Sequence, residues 1–157
     1  MDICGIPLDS FEAFMKTINS EETDIWFDRM VNAFEIADNP NERNKLAILL
    51  SDFGKELAVI PIIKMIKDPR TKGNRGTLLY ALEELDCSLH LDFLFSLMIE
   101  DNFEVSRQAY LIIEKVLSKE NSNLELIKKQ IPLLTEKVRT LQDDVDFYIS
   151  ALELLSK

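Results

Sequence analysis

Three features of the sequence predict an all-α fold, a right-handed α-α superhelix of about four helix pairs behind an N-terminal capping helix, with no sheet. The first is a period: Arg43, Arg75 and Arg107 stand 32 residues apart. The second is an apolar pattern in step with it. Three positions beyond each arginine come Leu46, Leu78 and Tyr110; six beyond, Leu49, Ala81 and Ile113; ten beyond, Phe53, Leu85 and Leu117. Offsets of three, six and ten follow one face of a helix. A helical unit of this length cannot bury its apolar face alone and must lean on its neighbours, which is the logic of a solenoid. The third is a shortage of helix breakers, four Gly and five Pro in 157 residues. A chain of this size buries roughly 70% of its unfolded surface without disulfides or metals. One domain over 1–157 is the expectation, with a cap at 1–20 and repeats at about 21–54, 55–88, 89–119 and 122–157.

Taken in order, the capping helix spans about 9–18, where Phe11, Phe14, Met15 and Ile18 make a one-sided stripe. The first pair starts at Ser20 and the acidic Glu21-Glu22, residues suited to a helix N-terminus. It runs through Ile25, Trp26, Phe27, Met30, Val31 and Phe34, turns at Asp38-Asn39-Pro40 and returns over 42–53 to Gly54. The second pair spans 55–67 and 74–86 around the loop Lys67 to Gly73. The third spans 89–100 and 103–118, and the two residues between them, Asp101-Asn102, force an antiparallel hairpin. After Lys119-Glu120-Asn121-Ser122 the last pair spans 123–138 and 142–156. Ser122 with Glu125, and Thr140 with Asp143, have the spacing of capping boxes. Ala81-Leu82-Glu83 reappears as Ala151-Leu152-Glu153, 70 residues on, so an insertion of six precedes the final return helix.

These residues resemble the HEAT repeat, a branch of the armadillo-like α-solenoids. Ile60-Pro61-Ile62-Ile63-Lys64-Met65-Ile66-Lys67-Asp68-Pro69 matches a first helix with internal proline and its Asp-Pro turn. Arg75 with Ala81-Leu82 and Leu85 matches a second helix; Glu104-Val105-Ser106-Arg107-Gln108-Ala109 and Ile131-Pro132-Leu133-Leu134 are further matches. The likeness covers about 22–156. It departs from the pattern in the first unit, whose first helix has no proline, and in the last, where Val145 stands in place of the arginine. The resemblance implies an interaction protein whose second helices line a concave face. Related HEAT-like proteins also include base-excision enzymes and bilin lyases, the alternatives it implies.

The sequence carries 28 acidic against 18 basic residues, a net charge of −10 and a pI near 4.6. Such a field repels nucleic acid and steers basic proteins in. No apolar run approaches the ~20 residues of a membrane span. The start, Met1-Asp2-Ile3-Cys4-Gly5-Ile6-Pro7, lacks the basic, apolar pattern of a secretion signal, which predicts a cytoplasmic protein. Cys4 and Cys87 are far apart and form no Cys-x-x-Cys arrangement, and they are expected to be reduced and structural. His90, the sole histidine, has no second His to share a site with. Asp143, Asp144 and Asp146 suit a helix N-terminus, where clustered acids need no metal ion. No phosphate-binding glycine loop or nucleophile elbow is present. No enzyme activity and no cofactor are therefore expected.

The partner should be another protein, basic in net charge, and a monomer is the favoured state of the chain. Positions five and eight after each arginine lie away from the apolar stripe. They nominate Ile48, Tyr80, Glu83 and Ile112 for the binding face, and alignment through Ala151 adds Asp146 and Glu153. An apolar row rimmed by charge is what a partner site needs. Residues 67–75 form a local exception to the acidic field, with Lys67, Arg70, Lys72 and Arg75 against Asp68 alone. By size, charge and fold the chain is similar to the small acidic immunity proteins that bacteria make against toxins. The scaffold or assembly adaptor is the alternative within the same class.

Overall fold

The computed structural model describes residues 2–3, 5–119, 124–140 and 145–156. It is mostly helical, and its backbone falls into two compact units, Met1–Leu85 and Asp86–Lys157. Among the described residues no helix is long and apolar enough to cross a membrane.

The first unit opens on a two-strand antiparallel ribbon, β1 (Asp2–Ile3) and β2 (Ile6–Pro7), with Asp2 opposite Pro7 and Ile3 opposite Ile6. This corrects the expectation of no sheet. The cause is local: Gly5 takes φ +84°, a conformation that costs glycine little, and its N–H donates to the Asp2 carboxylate at 3.0 Å. Helix α1 (Leu8–Met15) buries Leu8, Phe11 and Met15 and stops three residues before the predicted end. Helix α2 (Ser20–Ile36) is capped by Asn19, whose side chain accepts the Glu22 N–H at 3.0 Å. Trp26 meets Phe11 and Phe14 edge-on, with ring centroids 5.8 and 4.7 Å away. Helix α3 (Pro40–Gly54) starts on a proline whose missing N–H costs nothing there, while the Asn39 side chain accepts from Asn41 N–H at 2.9 Å. It buries Leu46 and Leu49 of the predicted stripe together with Ala47 and Leu50, while Phe53, the third member of the stripe, is half-buried.

The predicted helix over 55–67 divides into a 3-10 turn at Lys55–Ala58 and α4 (Val59–Lys67). The last carbonyls of α4 are met by the buried Thr71 hydroxyl, 3.0 Å from Met65 O and 3.2 Å from Ile66 O. Helix α5 covers only Gly76–Tyr80, against a predicted 74–86. Beyond it the N–H groups of Leu82, Glu83 and Leu85 reach back three residues rather than four, at 2.9 to 3.1 Å, so tight turns replace the helix. Ala81, Leu82 and Leu85 remain buried all the same.

In the second unit α6 (Leu91–Glu100) and α7 (Phe103–Lys119) pack together across the two-residue turn at Asp101-Asn102. Asn102 caps α7, accepting the Val105 N–H at 3.1 Å, and buried Ser106 donates back toward the Leu97 and Asp101 carbonyls. Helix α8 (Leu124–Thr140) contains Pro132, which deprives the carbonyl four residues earlier of its helical partner. It packs on α9 (Val145–Leu155) and on α6. Polar contacts join these helices: Gln130 donates to Asp92 at 3.5 Å, and the buried Tyr148 hydroxyl donates to Met98 O at 3.3 Å. Thr140 ends α8, its hydroxyl turned back to Lys137 O. Ser122 and Asp143, the other members needed for the two predicted capping boxes, lie outside the described residues.

Candidate partner-binding groove

The end of α3 and the turn after it form one wall of an open groove of about 650 Å³, and α5 with the turns that follow forms the other. Gly54 makes this arrangement possible. A Cβ there would lie 2.0 Å from Phe27 Cε2, so α3 can press against Phe27 only through a glycine. The chain then turns sharply at Lys55, a non-glycine residue at φ +45°, a costly conformation that surrounding structure must hold. Asp52 and Glu56 fall on either side of that turn and line the groove.

Three of the residues nominated from the sequence meet here. Ile48 and Glu83 are half-buried, Tyr80 is 60% exposed, and all three line the groove. Tyr80 is the last residue of the short α5. Asp52, Glu56, Glu83 and Glu84 surround the tyrosine, with Lys55 as the one cation among the lining residues. The sequence reading missed Asp52 and Glu56. Their signal was present as an acidic pair four residues apart flanking Gly54-Lys55, but it lies at the helix end, outside the arginine-based offsets.

Ile112 is a correction. It is 1% exposed and belongs to the core. The inner face of α7 is Val105, Ala109, Ile112, Ile113 and Val116, so the fifth position after Arg107 points inward on a long helix, whereas its counterpart Tyr80 ends a short one. Asp146 and Glu153 are exposed on α9 in the second unit. Asp146 lines a different cavity there, and Glu153 lies near enough to Tyr110 to contribute, after burial and the hydrogen bond to Glu114, to raising that phenol above its ordinary value.

The basic stretch 67–75 is partly committed within the first unit. Arg70 donates to both Asp68 oxygens, to Asp38 at 3.0 Å and to the Glu35 carbonyl at 2.9 Å. Arg43, the first of the periodic arginines, is 1% exposed and donates to Ala37 O at 3.2 Å; its desolvation lowers its pKa. Cys87 is buried and not disulfide-bonded, and burial pushes its thiol up to about 12. His90 is half-buried in a 3-10 turn at Ser88–His90. Among the described residues no group of three His, Cys, Asp or Glu is placed to hold a metal ion. Asp143, Asp144 and Cys4 lie outside them. No known protein family, curated protein or solved structure matches the chain.

Proposed function

We propose that this chain is a non-enzymatic protein-binding module built as a HEAT-like α-solenoid, and that it inhibits a cationic partner, in the manner of an immunity protein masking a toxin such as a nuclease. The observation that carries the reading is the groove around Tyr80. A half-exposed aromatic ring beside Ile48, rimmed by Asp52, Glu56, Glu83 and Glu84, offers the apolar anchor and polar rim from which protein interfaces are made. The net charge of −10 supplies the long-range part, since a field of this sign draws a basic protein in before the two surfaces dock.

The two contributions separate experimentally. Cells expressing the chain are challenged with cationic nuclease toxins, and the toxin against which growth is rescued serves as the binding partner. Tyr80→Ala should cost on the order of 2 kcal/mol in affinity, as central aromatic anchors do, with thermal stability nearly unchanged. Raising ionic strength from about 0.05 to 0.5 M should slow association roughly tenfold. Rescue by no toxin, or full binding by Tyr80→Ala, sinks the reading.

A further inference from the structure

We propose that the cleft between α7 and α9 is a second site, independent of the groove around Tyr80, for an apolar monocarboxylate: an aromatic or aliphatic body ending in a single carboxylate. The cleft holds about 470 Å³, within the roughly 300–1,000 Å³ typical of small-ligand pockets. Phe103, Arg107 and Tyr110 follow one another at helical spacing on α7, and Asp146 and Phe147 enter from the first turn of α9. Phe147 is the keystone of an aromatic wall, edge-on to Phe103 at 5.9 Å and to Tyr110 at 5.5 Å. Phe103 is nevertheless 50% exposed. The Tyr110 hydroxyl is engaged by Glu114 at 3.1 Å.

Arg107 supplies the polar half. Arg70 binds Asp68 and Asp38, Arg139 binds Glu136, Arg29 lies over Trp26, Arg43 donates to Ala37 O, and Arg75 also has a partner. Among the described residues Arg107 makes no ion pair, hydrogen bond or ring contact, although acids outnumber bases 28 to 18 in this chain. A guanidinium left open beside aromatic rings is suited to a planar carboxylate, which it can hold through two parallel hydrogen bonds. Asp146 lines the same cleft without pairing to Arg107. Its charge repels a second carboxylate or a phosphate dianion, which restricts the ligand to one negative charge. Such a carboxylate has two sources, a free organic acid or the C-terminal residue of a protein.

The test is titration of the intact protein, followed by amide NMR, with 3-phenylpropanoate, its neutral amide, and an acetylated tetrapeptide ending in phenylalanine with a free or an amidated terminus. We expect shifts at residues 103–111 and 145–150 for a carboxylate probe, with a dissociation constant on the order of 1 mM or tighter. Arg107→Gln should weaken binding about tenfold or more and Arg107→Lys less, because a point charge loses the paired hydrogen bonds. Arg107 is exposed, so both variants should melt with the wild type. Binding of the free acid alone identifies a small-molecule site; binding of the peptide alone identifies a protein terminus; binding of both supports the shared chemistry. Neutral amides that bind as well as the acids, an unaffected Arg107→Gln, or no binding by either carboxylate would overturn the proposal.

Discussion

Gly54 is set by what stands opposite it. With Phe27 Cε2 only 2.0 Å from where a Cβ would be, alanine forces the ring or the helix end to move. Overpacking of this kind costs about 1–3 kcal/mol, or several degrees in melting temperature for a domain of this size. Gly54→Ala should show that loss, and Phe27→Leu in the same chain should recover part of it, since the two residues share one space. An unchanged melt would mean that α3 and Phe27 are less closely apposed. Cys87 gives a residue-scale pH prediction. Its thiol is held neutral by burial, with a pKa of about 12 against an ordinary 9.0. The folded chain therefore keeps the proton that the unfolded chain releases, so this contribution to stability is whole below pH 9 and is lost as pH rises toward 12. In Cys4→Ser protein at pH 8, thiol reagents should react with Cys87 only on unfolding; prompt reaction of the native protein would contradict its burial. At this scale the sequence is a partial guide. Arg43, Arg75 and Arg107 share a spacing, yet the first is buried, the second half-buried and the third exposed, because spacing reports helical phase and not what packs over it.

Helices α2 and α4 are tied together at their C-terminal ends by Lys64, paired with Glu35, and by Arg70. Arg70, in the turn after α4, donates to the Glu35 carbonyl in the last turn of α2 and to Asp38 just beyond it, while Asp68 holds the guanidinium from its own loop. The Arg70 hydrogen bond is the main cause that lowers the Asp68 pKa below its usual 3.8. A depressed carboxylate contributes stability that is present above the unfolded value and lost as pH falls through the folded one. Arg70→Ala should therefore flatten the acid limb of the stability profile below about pH 4 and speed hydrogen exchange over residues 69–75. Unaltered exchange there would mean that Thr71 alone holds the loop. The helices themselves were legible because a 3.6-residue apolar period survives for many turns, and Asp101-Asn102 gave the tightest hairpin correctly. What escaped was short or terminal: the ribbon hinged on Gly5, the 3-10 turn after Gly54, and the early end of α5. Each depends on one or two residues, too few to set a period. The groove was half legible for the same reason, with Ile48, Tyr80 and Glu83 found by phase, Asp52 and Glu56 missed at a helix end, and Ile112 misassigned by treating a short and a long helix alike.

Charge acts at the scale of the whole chain, and its consequences for folding and for binding have opposite signs. At pH 7 the net charge of −10 sets carboxylates against one another across the surface, a repulsion that the compact state feels more than the expanded one. Salt screens it, since the Debye length falls from about 10 Å at 0.1 M to about 3 Å at 1 M. Salt also weakens the attractive pairs, among them Lys45 with Asp9, Lys64 with Glu35 and Lys16 with Glu12. All of these are exposed, and exposed pairs contribute little individually, so the excess of ten negative charges should decide the outcome. Sodium chloride raised from about 0.05 to 0.5 M is expected to increase the melting temperature by a few degrees, an effect of about 1 kcal/mol in a domain of this length. Over the same interval association with a basic protein should slow. A melting temperature that falls with salt would show that the paired carboxylates outweigh the unpaired ones, and that the acidic surface is held by its own lysines instead of being open to a partner.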